Sequence, residues 1–441
     1  MPSRSAAWRA LAVKELRELL VSRAWWILLI LTGPLIGVSF ISAVRVYGEA
    51  SGVGGTSAGV GEAFSPLTGI WAPTFSAYEI VAVFLLPFVA IRLIAGDRQS
   101  GALKMELQRP LPAATRVLAK VAALAAGWIV ASLPGLAAIV LWNAYGGSSN
   151  AAEIAAVLAG HALNAALTIA LAAAAGSVTQ NPSTAAILTL AVTIGSWVLN
   201  FAGDIHGGAW EYAAGLTPPA MVAQFQHGLI QLSVVLVAVV LATAGCALAA
   251  IWMRLGVATA RRVWESGAVA LAAAALIAVA VTVRASWDVS EDRKNSLPEP
   301  DEAALAQLQG PLEIEAHLAA EDPRRTDLER QALSKLRRAL PELRVRYVAA
   351  TSIGLFEQTA EHYGEIWYTW KSRRALSRAT SAEGVLETIY GLTGIPPSVE
   401  REDTFRGHPL AASPRFAAAA FYLAWPALTM VAGLAVFRRL S

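Results

Sequence analysis

The chain has 441 residues, of which 56% are hydrophobic and 15% charged, with a formal net charge of +3. Soluble domains carry about 25% charged residues, so a chain that is soluble throughout is excluded, and no nucleic-acid partner is expected. The one cysteine, Cys246, stands inside an apolar block, so neither an intrachain disulfide nor a thiolate metal cluster is available.

Residues 6–22 set Trp8, Leu11, Leu16, Leu19 and Leu20 against Arg9, Lys14, Glu15, Arg17 and Glu18. The spacing is that of an amphipathic helix, and it suits either a helix lying in the membrane interface or a solvated extension of the first span. It is not a signal peptide, because no small-residue cleavage site follows a short apolar core. Apolar blocks near the ~20 residues needed to cross a bilayer then predict spans at about Trp25–Val46, Ala77–Ile94, Val117–Trp142, Ile154–Ala175, Thr184–Val198, Leu229–Trp252, Gly267–Val283 and Phe416–Val436. Pro134 predicts a kink in the third. Residues 48–76 read as a Gly/Ser-rich loop, and 201–228 as short re-entrant or surface helices, being too broken by Pro and charge to cross.

At Trp287 the composition turns charged. Leu312, Ile314, Ala316 and Leu318 alternate with Glu313, Glu315 and His317, predicting a half-buried strand with a solvent face. Thr326 and Glu329 read as a capping box opening a helix whose buried face is Leu328, Ala332, Leu336 and Leu340. Strands around 343–347 and 366–370 and a helix from Ser381 to Tyr390 follow. The basic run Lys335, Arg337 and Arg338 reads as a solvated helix face. The expected fold class is therefore an α-helical polytopic membrane protein of about eight transmembrane helices, with a small α/β extracytoplasmic domain between the last two spans. Its parts are an N-terminal amphipathic helix (1–23), a six-span domain (24–256), a seventh span (257–286), the α/β domain (287–413), and the eighth span with its tail (414–441).

Charge sets the expected orientation. With a cytoplasmic N-terminus, segments 1–23, 92–120, 254–264 and the C-terminal tail carry the Arg and Lys, whereas 48–76, 143–152 and 202–228 carry none. The positive-inside bias places both termini in the cytoplasm and 287–413 on the other side of the membrane, since long domains translocate largely regardless of charge.

Candidate chemistry is sparse. No Gly-Lys dipeptide occurs, so the usual phosphate-cradling loop is missing and the chain is not expected to be an enzyme. The six histidines form no close pair at metal-ligand spacing, and no metal or other cofactor is expected in this chain. His161, inside the fourth span, is expected to hydrogen-bond a neighbouring carbonyl rather than line a polar pathway. Buried charge in the spans is expected to be scarce, which argues against ion-coupled transport.

Two stretches resemble known families. KELRELL at 14–20 and GDRQSGALKMELQRPLPAATRVLAK at 96–120 are similar to the ABC-2-type ABC transporter permeases, although Ala102 and Lys104 stand where Thr and Glu are usual. That resemblance implies a permease coupled to a separate cytoplasmic ABC ATPase, which binds the ATP-Mg. It also implies assembly with a second permease copy or paralogue, and ATPase contacts at Glu15, Glu18, Asp97, Arg98 and Gly101. DVSEDRKNSL at 288–297, followed by LEIEAHL and LRVRYV, resembles the extracytoplasmic domain of gliding-motility-type ABC auxiliary proteins and implies an outer-domain partner.

Overall fold

The computed structural model of the protein describes residues 4–51, 65–100, 111–206, 209–254, 256–308, 310–319, 322–340, 342–348, 362–396 and 407–440, with side chains described except at 4–7, 97–100, 204, 206 and 440. Two compact units emerge: Met1–Val198 with Leu216–Ala285 and Arg406–Ser441, and Leu199–Gly215 with Ser286–Phe405.

Among the described residues, eight helices are long and apolar enough to cross a membrane: Arg23–Ala50, Leu67–Gly96, Ala113–Ala144, Ala151–Val178, Pro182–Gly203, Leu232–Trp252, Thr259–Val281 and Ala417–Arg439. The second begins ten residues before its predicted start, because a π-turn at Leu67–Trp71 leads into it and buries Leu67, Ile70 and Trp71. The expected loop over 48–76 is thus helical at both ends, while 52–64 lie outside the described residues. Gly69, Pro73 and the polar side chains of this stretch dilute its hydropathy, but its buried aromatic face decides the fold.

The first unit packs around aromatic side chains. Trp71 and Trp142 meet edge to face at 6.3 Å, Tyr47 and Trp142 at 5.3 Å, and Tyr78 and Trp128 at 5.6 Å. Tyr78 also explains the predicted kink in the third span, whose helix breaks at Ser132. The Gly135 N–H donates to the Tyr78 hydroxyl (2.9 Å), which donates to the Ala131 carbonyl (3.2 Å). A side-chain hydroxyl thus bridges the donor and acceptor that a continuous helix would pair directly, beside Pro134, which has no N–H to give.

In the broken stretch, 201–206 continue the fifth span's helix, Pro182–His206, and only the remainder forms short helices, at Ala209–Gly215 and Pro218–Gln226. The latter packs on the fourth span, where a Cβ on Gly160 would stand 2.6 Å from Phe225 Cβ. Small residues let helices approach closely in a membrane, where packing rather than water exclusion drives association.

The second unit contains a four-stranded sheet. β1 (Leu312–Ala316) pairs in parallel with β2 (Arg344–Tyr347) and antiparallel with β3 (Ile366–Trp370), which pairs antiparallel with β4 (Arg373–Ser377), giving the order β2-β1-β3-β4. β4 was not predicted; it follows a tight turn at Lys371, whose φ of 53° has no glycine to announce it. A helical stretch over 323–339 crosses between β1 and β2, as a parallel pair requires. Leu328, Ala332 and Leu336 are buried on it as expected, with Ile314, Tyr368 and Ile389 in the same core. The expected solvent face of β1 is present too, with Glu313 and Glu315 facing Arg344 (3.3 Å) and Arg374 (3.7 Å). Lys335 and Arg338 depart from the expected solvated face: they are half-buried, and desolvation pushes the Lys335 ammonium down from its ordinary value. Arg337 stays outside, paired with Glu329.

The helix starts earlier than the Thr326–Glu329 pattern predicts. Asp322 is the N-cap, accepting from Arg324 N–H (2.9 Å), and Pro323 occupies the first turn, so Thr326 lies inside the helix. The Asp322 carboxylate also receives the Arg324 guanidinium (2.7 Å) and the Tyr363 hydroxyl (2.8 Å). Hydrogen bonds from Arg324 lead the forces that hold its pKa at about 2, against an ordinary 3.8. A depressed carboxylate contributes stability that is present above the unfolded value and is lost as pH falls through the folded one. Amide protection of residues 323–328 in the full chain is therefore expected to fall between about pH 4 and 2 by hydrogen–deuterium exchange. Asp322→Ala should lower protection at neutral pH and abolish that acid step; an unchanged step would assign it to another group.

Ahead of the sheet, Asp288 organises the 288–297 loop. Its carboxylate accepts from Ser290 Oγ (2.6 Å), Ser296 Oγ (2.8 Å) and the backbone N–H groups of Ser290 and Asn295 (3.1 Å each). Burial alone would raise its pKa, but these donors outweigh burial and lower it.

Candidate coupling site

The N-terminal helix, Arg4–Val21, is amphipathic as the spacing predicts, with Leu11 and Leu19 buried. The same inward face carries Glu15, whose side chain is only 1% exposed. Its Oε2 meets Lys120 Nζ at 2.8 Å, and Lys120, equally buried, also donates to the Leu93 carbonyl at 3.0 Å. One ammonium therefore ties the N-terminal helix to the second and third spans. Lys14 adds contacts to Glu15 (3.2 Å) and Glu18 (3.0 Å). Burial pushes the Glu15 carboxyl above its ordinary value, while Lys120 beside it pulls the other way. Arg116, one turn before Lys120, is also buried.

The five residues implied as ATPase contacts thus occupy different positions. Glu15 faces inward onto Lys120, whereas Glu18 is about a third exposed and lines a cavity with Ser22 and Arg92. Asp97 and Arg98 lie on the helix Leu86–Ser100, which prolongs the second span beyond Gly96. Gly101, with 102–110, falls outside the described residues. Lys120 closes the 96–120 stretch that carries the family resemblance, but sequence reasoning gave it no site role and did not pair it with Glu15. The signal was a Lys and a Glu standing at apolar positions of two separate helices.

A second polar constellation sits deeper in the bundle. Gln226 Nε2 donates to Glu79 Oε1 (2.9 Å) and stands 3.3 Å from His161 Nε2. His161 is thus partnered by a side chain rather than by the expected carbonyl, with Phe75 and Tyr78 at ring distances of 6.0 and 5.9 Å. Its Nδ1 has no partner among the described residues. The expected scarcity of charge in the spans is corrected as well. Glu79 is half-buried in the second span, and Glu153 is fully buried in the first turn of the fourth. In the second unit, the fold brings the His317 and His362 rings to 6.3 Å. No group of three or more His, Cys, Asp or Glu suited to a metal ion occurs among the described residues.

Residues 9–232 match the family described as ABC-2 family transporter protein. That range takes in Glu15, Lys120 and the whole segment between them. No curated protein matches the chain.

Proposed function

The chain belongs to the ABC-2 transporter family, and from that premise we propose that it is the permease subunit of an ATP-driven, export-type complex in a bacterial inner membrane, with both termini cytoplasmic. A separate ABC ATPase subunit binds ATP-Mg, docks on residues 92–120 and the exposed side of the N-terminal helix, and drives a pair of permeases. The observation that carries this reading is the Glu15–Lys120–Leu93 junction. It joins three elements at the end of the bundle where the positive-inside bias places the cytoplasm, so a push on any one of them moves all three. Glu18, Asp97, Arg98 and Gly101 are then the contacts, and Glu15 positions the helix that presents Glu18. The absence of any Gly-Lys dipeptide is consistent with ATP hydrolysis in the partner.

Co-purification with the ATPase is expected to fall on combining Asp97→Ala with Arg98→Ala, with ATP hydrolysis no longer stimulated by the permease; unchanged stimulation would remove those two residues from the contact. An impermeant thiol reagent should label a cysteine placed in 143–150 from outside the cell, which tests the orientation.

A second reading follows from the outer unit. Asp288 draws Ser290, Asn295 and Ser296 into one loop, which accounts for the residue types in the stretch that resembles the gliding-motility-type auxiliary domain. On that reading the complex transmits ATP-driven force to envelope partners through 287–413. Deleting 287–413 separates the two: substrate movement survives if the chain transports, and partner recruitment is lost if it is a scaffold.

A further inference from the structure

Arg92 remains outside the ion-pair network. It is exposed, and no salt bridge or hydrogen bond joins it to another described residue. It lines two cavities. The smaller, about 220 Å³, also contains Glu18 and Ser22. The larger, about 650 Å³, is lined by Phe88, Ile91, Gly96, Pro182, Ser183 and Ala186, with no acidic side chain among the described lining residues.

We propose that the larger cavity binds an anionic glycerophospholipid, its phosphate held by the Arg92 guanidinium and the Ser183 hydroxyl. Depth is the first support. Gly96 closes the second span and Pro182 opens the fifth, so the cavity lies at the membrane boundary, where lipid phosphates stand. Charge is the second. An arginine at this depth is costly unless its head reaches water or an anion, and guanidinium–phosphate hydrogen bonds are among the strong, geometrically matched ones. Shape and lining are the third. The volume falls in the range of small-molecule sites. Apart from Arg92 and Ser183 the described lining side chains are apolar, with Phe88 half exposed, as an acyl chain requires. Because Arg92 is five residues before Asp97 on one helix, an occupied site would brace the segment proposed to receive the ATPase. The leaflet, but not the binding itself, rests on the orientation proposed above; thiol labelling in cells tests the leaflet, and lipid binding by purified protein is independent of it.

The test titrates the detergent-purified full chain with phosphatidylglycerol or phosphatidylcholine and counts bound lipid by native mass spectrometry. Phosphatidylglycerol should be retained preferentially. Arg92→Gln should weaken it about tenfold, the order of one lost charge-assisted contact, without changing phosphatidylcholine. Ala186→Trp, which fills the cavity and keeps the cation, should do the same. A photoactivatable phosphatidylglycerol on the wild-type chain should crosslink within 88–96 or 182–186, which does not depend on either variant folding. Equal retention of the two lipids, full binding by Ala186→Trp, crosslinking elsewhere, or displacement by inorganic phosphate alone would each overturn the proposal.

Discussion

Replacing Lys120 by methionine is expected to destabilise the protein by about 3–5 kcal/mol, the usual consequence of removing one partner of a buried ion pair. The methionine takes the buried partner from the Glu15 carboxylate, at 1% exposure, and leaves it the partly exposed Lys14 at 3.2 Å. It also removes a donor from the Leu93 carbonyl. The single variant should unfold at a markedly lower temperature in detergent, and its N-terminal helix should lose amide protection. Combining it with Glu15→Gln should restore most of the loss, because a neutral amide is far cheaper to bury than a carboxylate that has lost its buried partner. A Lys120→Met protein that melts like the wild type would show that the pair does not hold the helix. If the coupling role is right, the double variant should refold the junction yet transmit less of the ATPase's work, since a neutral pair resists separation less.

Gly33→Ala carries the second large effect. A Cβ at this position would stand 2.1 Å from Trp425 Cδ1, a separation no real side chain tolerates. The indole has little freedom to move, because its Nε1 donates to the Leu29 carbonyl at 2.7 Å. One turn along, Gly37 faces Phe421 in the same way, at 2.5 Å from its Cβ. The methyl group should therefore push the eighth span off the first, at a cost of about 1–3 kcal/mol or more for overpacking. The check is a double-mutant cycle on thermal unfolding. In a Trp425→Ala background the added methyl should cost little, so strict additivity of the two changes would sink the proposed seam. The consequence reaches beyond stability. The eighth span lies past residue 232, where the family match ends, yet it shares a core with the first span. It is an integral part of the membrane unit rather than a separable tail.

Much of this was legible in the residues. Runs of apolar side chains near the thickness of a bilayer define spans whatever their neighbours are, so all eight were found, with ends shifted by a few residues except at Leu67, ten residues before the predicted start, and at Thr259, eight residues before it. The strand–helix–strand order of the second unit was legible for a similar reason: alternation in Leu312–Leu318 and helical spacing in Leu328–Leu340 are local patterns. The site was less so. Glu15 was singled out, but its partner is 105 residues away, and nothing local in either sequence marks one as the mate of the other. His161 and Gln226 are 65 residues apart, and Tyr78 and Gly135 57. Where the pattern did mislead, two local signals competed. Thr326–Glu329 has the spacing of a capping box, but Asp322 followed by Pro323 offers an earlier cap with more donors to satisfy.

The sequence by itself determined that this protein crosses a membrane and which segments do so, because hydrophobic length is a property of contiguous residues. Only the tertiary structure decided which charges are paired, that Glu15 points inward while Glu18 does not, and that Trp425 seats on Gly33. Those outcomes depend on which helix faces which. In a membrane that choice is made by close packing and by the cost of an unsatisfied polar group, and neither is written in any single segment.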